Sequence, residues 1–327
     1  MVSIRFVSKE NQLDAYFFIF WLIFGYAFVF FKKNIPLLFI LFSGCLISAN
    51  LFIKKSKYEL ELKGRNFYGT YQVLLEKNDN SYFKMLRHGN IFHGFMDMNS
   101  PLSKIGYYSE ESPLGSFFKE TEVNNKNWDF ALIGLGAGAS LCYFKDTQSL
   151  DIYEIDEEIV KLSTEKNVFP FMRDCKKDAK IIIGDGRVML ANQDKKYDAI
   201  IIDAFSSDAI PSHLLTREAF LVYLSKLKED GLMLFHISNL YIDLEGVIDK
   251  AIKGTGIKAL VAEGGENESL QKTFSSKWVV LSKADLTNFK EKYGFKELKQ
   301  NDEIKYFTDD YSSIYKAIKL RFRLKQG

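Results

Sequence analysis

Three cysteines in 327 residues (Cys45, Cys142, Cys175) are too few and too far apart for a disulfide framework or for the paired spacing of a zinc site. They suit a chain kept in a reducing compartment. Four histidines (His88, His93, His213, His236), with neither HExxH nor CxxC, give a metal enzyme little support, so no metal is expected. An excess of one charge is also missing. The 44 Lys and Arg oppose 42 Asp and Glu, a formal net charge of +2, which excludes a strongly basic nucleic-acid binder. There are no internal repeats, and 26% charged with 47% hydrophobic residues excludes disordered and fibrous classes.

The small net charge conceals a split. Residues 1–57 hold seven basic residues and two acids, a balance of +5, and the remaining 270 residues balance at −3. Within the first part, Ala15 to Phe31 and Ile35 to Ile53 are uncharged runs of 17 and 19 residues. As helices these would reach roughly 25 and 28 Å, close to a hydrocarbon core of about 30 Å. Neither run shows the polar face of a soluble helix, and Lys32 and Lys33 stand where a cleavage site of small residues would follow a signal peptide. Residues 1–57 are therefore expected to form a transmembrane helical hairpin in contact with the lipid bilayer through residues 15–53. Basic residues flanking both outer ends predict that the large domain after residue 57 faces the cytoplasm from the plasma (inner) membrane.

Residues 58–127 alternate in short runs broken by Gly and Asn-Asp, the pattern of hairpin strands in a small antiparallel β subdomain without a convincing helix. The polar stretch 120–127 makes a boundary. From Trp128 the pattern becomes apolar runs separated by helical segments, the signature of repeated βα units on a parallel sheet. Seven strands are expected, at 129–135, 150–155, 179–185, 197–205, 231–239, 257–263 and 277–283. Helices are expected near 156–167, 186–193, 216–229 and 244–253. The fold class is thus α/β, with seven strands in repeated βα units over residues 128–327.

The chemistry-bearing residues fall at the ends of these strands. The first ends in Gly134-Leu135-Gly136-Ala137-Gly138, where glycines permit a tight turn and close approach to a ligand. Eighteen residues after Gly136, Glu154 ends the second strand, where an acid can accept both ribose hydroxyls. The third ends in Gly184-Asp185-Gly186-Arg187, with Asp185 placed to meet an adenine amino group or to cap a helix. The fourth delivers Asp203 to the sheet edge, and Asp208 follows on a loop. A carboxylate pair beside a sulfonium can hold an amine nucleophile and take up its proton.

The runs GLGAGAS, YEID, IIGDGR and YDAIIIDAFSSDAIPSHLLTREAF, with Gly231 opening the next strand, resemble the spermidine synthase (polyamine aminopropyltransferase) family, in its membrane-fused spermidine synthase-like branch. The likeness runs from about Asn66 to Tyr315 and implies that residues 128–327 form a seven-stranded Rossmann-like domain of the class I methyltransferase type. It implies a transferase of polyamine biosynthesis that moves an aminopropyl group from decarboxylated S-adenosylmethionine to a small amine or polyamine and releases methylthioadenosine. A homodimer is compatible with it. It further implies that Gly134, Gly136, Gly138, Glu154, Asp185 and Gly186 bind the co-substrate. In the same reading Asp203 is the catalytic base, and Asp208 and Tyr108 contact the acceptor.

Two departures bear on specificity. The family carries an acid in its glycine turn, facing the donor's amine, and here Ala137 takes that place. The substrate-side glutamine is also missing, leaving His93 or Met96. Loss of the acid leans toward undecarboxylated S-adenosylmethionine as co-substrate. A methyltransferase on the same fold, or a noncatalytic adenosyl-nucleoside-binding membrane protein, are the competing expectations. His213 beside Pro211 reads as a proton-transfer or capping residue. Asp309-Asp310-Tyr311 reads as a segment that closes the far edge of the site or as an ordinary turn.

Overall fold

The computed structural model describes residues 58–78, 81–89, 91–122, 127–205, 210–239, 242–266, 273–313 and 315–318, with Ser43 alone before them. From Tyr58 onward the chain forms one compact unit. Strands β1 (Glu59–Asn66), β2 (Gly69–Asn78), β3 (Ser81–His88) and β4 (Ile91–Asp97) make an antiparallel meander in chain order. Both faces of this small sheet are covered, which the period-2 alternation of a strand permits. Tyr71, Val73, Leu86 and Met96 join the main core, while Leu74, Phe83, Met85 and Phe95 pack with Ile105 in a satellite cluster.

The larger sheet contains β5 (Asp129–Ile133), β6 (Ser149–Glu154), β7 (Lys180–Ile183), β8 (Tyr197–Ile202), β9 (Leu227–His236), β10 (Lys258–Gly264), β11 (Ser276–Ser282) and β12 (Lys296–Glu297). Its order is β12-β10-β11-β9-β8-β5-β6-β7. The β7-β6-β5-β8-β9 block is parallel, and β11, β10 and β12 continue it antiparallel. All seven expected strands are present. The eighth, β12, is a two-residue edge pairing too short to leave a periodic signal.

Helices α1 (Pro113–Glu122), α2 (Glu157–Ser163), α3 (Phe171–Cys175), α4 (Gly186–Ala191), α5 (Arg217–Lys226), α6 (Leu244–Ile252) and α7 (Thr287–Tyr293) cover the sheet. Side-chain caps set several starts. Asp156 accepts from Glu158 N, Asp185 from Val188 N, Thr216 from Ala219 N and Asp243 from Gly246 N, each satisfying an orphan amide of the first turn. α1 was not anticipated. Its signal is local: Pro113 suits a first helical position, and the Ser112 hydroxyl accepts from Gly115 N.

Two expectations are corrected here. Among the described residues no helix is long and apolar enough to cross a membrane. The longest, α1 and α5, have ten residues, about 15 Å of helix, half of what a span requires. The transmembrane hairpin and its bilayer contact therefore have no support in the structure, and residues 15–53, apart from Ser43, lie outside the described residues. The second correction concerns cysteine. Cys142 and Cys175, 33 residues apart in sequence, form a disulfide with a Cα–Cα distance of 4.8 Å. They meet because the 3₁₀ turn Ala139–Tyr143, which leaves the glycine turn, packs against α3.

Candidate active site

Strand register assembles the site. Parallel pairing sets Ile133 beside both Tyr153 and Ile202, so the next residues, Gly134, Glu154 and Asp203, emerge side by side at the carboxyl edge of β5, β6 and β8. Gly134 N donates to Tyr153 O and Asp203 N to Ile133 O, which locks that row. Ile202 pairs with Phe235, and His236 pairs with Trp278, which extends the row through Asp203, His236 and Trp278 across β8, β9 and β11.

The glycine turn is tied to protein backbone on both sides. Gly134 has φ 96°, and a Cβ there would strike the Asp203 carbonyl; Gly136 has φ 55°, and a Cβ there would lie 2.6 Å from the His93 carbonyl. Both need the left-handed freedom of glycine and the space that a missing side chain leaves. Gly138 also sits at positive φ and opens the 3₁₀ turn. Glu154 is buried. Its Oε2 accepts from Leu135 N at 2.8 Å and its Oε1 from Asp156 N at 2.9 Å, so it braces the glycine turn against the start of α2. Burial is the largest influence on this carboxyl and pushes it above the ordinary carboxylate value.

Asp185 accepts from Val188 N at 3.0 Å, capping α4, and its Oδ2 lies 2.7 Å from His213 Nε2. Gly186 has no room for a side chain, because a Cβ there would strike Ile133. Around these acids three apolar side chains, Ile155, Ile183 and Val188, stand exposed at the sheet edge. Arg187 reaches from α4 to the carboxyl-terminal segment, where it holds Asp309 through two 2.7 Å hydrogen bonds that Thr216 supplements at 2.9 Å. The paired guanidinium holds the Asp309 carboxyl below the usual carboxylate range.

Asp203 is the most constrained acid of the edge. The Tyr108 hydroxyl donates to Oδ2 at 2.8 Å, and His236 Nδ1 lies 2.7 Å from Oδ1. Burial and then the Asp203 carboxylate hold the Tyr108 phenol well above its ordinary value, so it stays a donor. Tyr108 is fixed in turn by the Tyr143 hydroxyl, which lies 2.9 Å from the carbonyls of Tyr108 and Ser109. His236 Nε2 lies 2.7 Å from Ser238 Oγ, which accepts from Lys277 N at 2.8 Å, and the imidazole stacks on Trp278 at 4.3 Å and 6°. The structure thus gathers Gly134, Gly136, Gly138, Glu154, Asp185, Gly186, Asp203 and Tyr108 along one edge. Asp208 lies outside the described residues.

His236 was not anticipated as a site residue. The available signal was a polar residue ending the apolar run GLMLF on a strand expected beside that of Asp203. Ala137, where the family has an acid, is fully buried, and its Cβ occupies the space that a side chain on Gly94 would need. Its amide donates to the His93 carbonyl at 3.0 Å. The Nε2 atoms of His93 and His88 are buried without a hydrogen-bond partner, and the two rings meet edge to face at 5.8 Å.

Burial, then the neighbouring His88, pushes the His93 imidazole down to about 4. A histidine depressed in the folded state lets the unfolded chain bind the extra proton first. The corresponding stability is present above about pH 6.5 and is lost as pH falls from there to about 4. Because solvent reaches part of the ring, the effect should be on the order of 2 kcal/mol. Urea unfolding of the parent and of His93→Gln between pH 7 and pH 4 checks this. The parent should lose stability more steeply, and parallel curves would show that His93 makes no such contribution.

Residues 122–264 match the Spermine/spermidine synthase domain family. The polyamine aminopropyltransferase of Vibrio vulnificus is 30% identical over 140 residues, 40% of this chain and 45% of that protein. That of Hydrogenobaculum is 27% identical over 223 residues, 63% of this chain and 68% of that protein. The match therefore spans less than half the length of the Vibrio relative. The crystal structure of a probable spermidine synthase from Corynebacterium glutamicum superposes with a TM-score of 0.56 at 17% identity, covering 78% of this chain and 96% of that one, a likeness of fold. By its matched domain, its strand-edge motifs and its relatives, the chain carries a spermidine synthase domain over residues 122–264.

Proposed function

We propose that this chain transfers an aminopropyl group from a decarboxylated S-adenosylmethionine donor to a small amine, with Asp203 as the residue that holds and deprotonates the acceptor. The observation that carries the reading is Asp203 itself: a nearly buried carboxylate with one oxygen held by the Tyr108 hydroxyl and the other by the His236 ring, and no Lys or Arg among the described residues bridged to it. Lone pairs remain on both oxygens for an ammonium. The polyamine aminopropyltransferase relatives support the reaction class.

The donor would lie along the glycine turn, with its ribose at Glu154 and its adenine between the exposed Ile155, Ile183 and Val188 near Asp185. Both oxygens of Glu154 already accept one amide each, and a carboxylate has further lone pairs for ribose hydroxyls. Transfer then needs an amine nitrogen on Asp203 in line with the sulfonium carbon. Holding the two in that geometry supplies several kcal/mol of the barrier reduction, on the order of 7 or more in well-oriented systems. The amine gives up a proton to Asp203 and forms the N–C bond as the C–S bond breaks and leaves a neutral thioether.

Ala137 favours a second reading, an intact S-adenosylmethionine donor and methyl transfer, because no acid at the turn would repel a donor carboxylate. One incubation with both donors and a diamine separates the two. Methylthioadenosine and an aminopropylated amine are expected. S-adenosylhomocysteine with a methylated product would replace the first reading with the second.

A further inference from the structure

We propose that His236 is a positioning residue for Asp203 that works in its neutral form, and that its protonation switches the site off. The inference rests on the assignment of Asp203 as the acceptor-binding base.

Hydrogen-bond inventory sets the ring's tautomer. The Asp203 carboxylate can only accept, so the ring hydrogen sits on Nδ1, facing Oδ1 at 2.7 Å. In the neutral ring Nε2 is then the acceptor for the Ser238 hydroxyl, 2.7 Å away, whose oxygen also accepts the Lys277 amide. Tyr108 holds the other oxygen. Two fixed donors leave the carboxylate one orientation, with its remaining lone pairs presented to an incoming amine. Trp278 keeps the imidazole in that plane by stacking.

Protonation of Nε2 changes the charge without breaking the chain. Ser238 Oγ turns from donor to acceptor, and Nδ1 still donates to Asp203. Asp203 and His236 then sum to zero, so the negative charge that draws an ammonium beside a sulfonium is cancelled, and the imidazolium repels both. The indole face under the ring would tolerate this cation. Among the described residues, the other groups facing His236 are Tyr107 and Tyr108 from the loop before α1, Phe205 beyond β8, and His93 from β4. Tyr108 stays protonated and His93 stays neutral well into the acid range, so neither supplies a charge change near neutrality. In the transfer step the amine proton goes to Asp203, and His236 keeps the hydrogen on Nδ1 throughout.

His236→Gln retains an N–H for Asp203 but cannot titrate, whereas His236→Ala removes the donor. For the parent, kcat/KM with a diamine should rise with pH along an acid limb to which His236 contributes. His236→Gln should keep activity within about tenfold of the parent and lose that contribution, and His236→Ala should lose about 10²-fold in kcat with little change in KM. An unchanged acid limb in His236→Gln, or an effect of His236→Ala on KM alone, would overturn the proposal. A readout without turnover stands beside these. Nitrogen NMR of labelled histidine in the parent should show His236 protonated at Nδ1 near neutral pH, and Asp203→Asn should shift its titration. The Nε2–H tautomer, or a titration indifferent to Asp203→Asn, would refute the pairing even if the transfer reaction itself proved to be another.

Discussion

Asp203→Asn is expected to lower kcat for amine alkylation by about 10²–10⁴-fold, the usual contribution of a positioned acid or base, with adenosyl-ligand affinity largely retained. Asparagine keeps the volume but replaces one acceptor with an NH₂ donor. That group must face either the Tyr108 hydroxyl or His236 Nδ1–H, both donors. One of them loses its partner in a buried site, and the negative charge that attracts the ammonium is gone. Single-turnover kinetics with a diamine, beside calorimetric binding of methylthioadenosine, separates chemistry from binding. Turnover equal to the parent would remove Asp203 from the mechanism.

The second large effect is expected at Glu154. Truncation to alanine leaves the amides of Leu135 and Asp156 buried without their acceptor, at about 1–3 kcal/mol each, and frees the glycine turn that lies between β5 and the donor. Glu154→Ala should therefore lower unfolding stability by roughly 2–6 kcal/mol and abolish measurable methylthioadenosine binding. The sign with pH is distinctive. Burial raises this carboxyl above its unfolded value, so its titration favours the folded state most at low pH, and that share is lost as pH rises through the raised value. Urea midpoints between pH 4 and pH 7 check it. A variant as stable as the parent would show that the brace carries no load.

Much of this edge was legible in the sequence because strands of a parallel sheet announce their ends. The apolar runs before Gly134, Glu154, Asp185 and Asp203 stop where the chain reaches the carboxyl edge, and each stop is a glycine or an acid. What was not legible depended on register between strands far apart in sequence. Asp203 and His236 are neighbours only because Ile202 pairs with Phe235, and Trp278 lies under His236 only through the antiparallel β9–β11 pairing. The Cys142–Cys175 bond likewise depends on the packing of α3 against the turn after Gly138.

Other departures have local causes. The Ser112-Pro113 start of α1 is a short signal inside a segment dominated by strand alternation. Glu154 was read as a ligand contact alone, and the structure gives it a backbone duty as well, bracing a turn, whereas the helix cap at Asp185 is one of the two roles read for it. Ala137 was read as a lost ligand for the donor. It is enclosed by Gly94 and the His93 carbonyl, so an acid at this position would need the β4 backbone to move, and single restoration of Asp at 137 is not an innocuous test of donor choice.

The central claim is that this strand edge moves an aminopropyl group onto an amine. Its most direct measurement is mass spectrometry of the acceptor after incubation of the purified chain with decarboxylated S-adenosylmethionine isotopically labelled in the propyl carbons. The account predicts a labelled aminopropyl unit on the amine nitrogen, with methylthioadenosine in equal amount and neither formed by Asp203→Asn. An acceptor that gains no label, or gains it equally with Asp203→Asn, would contradict it.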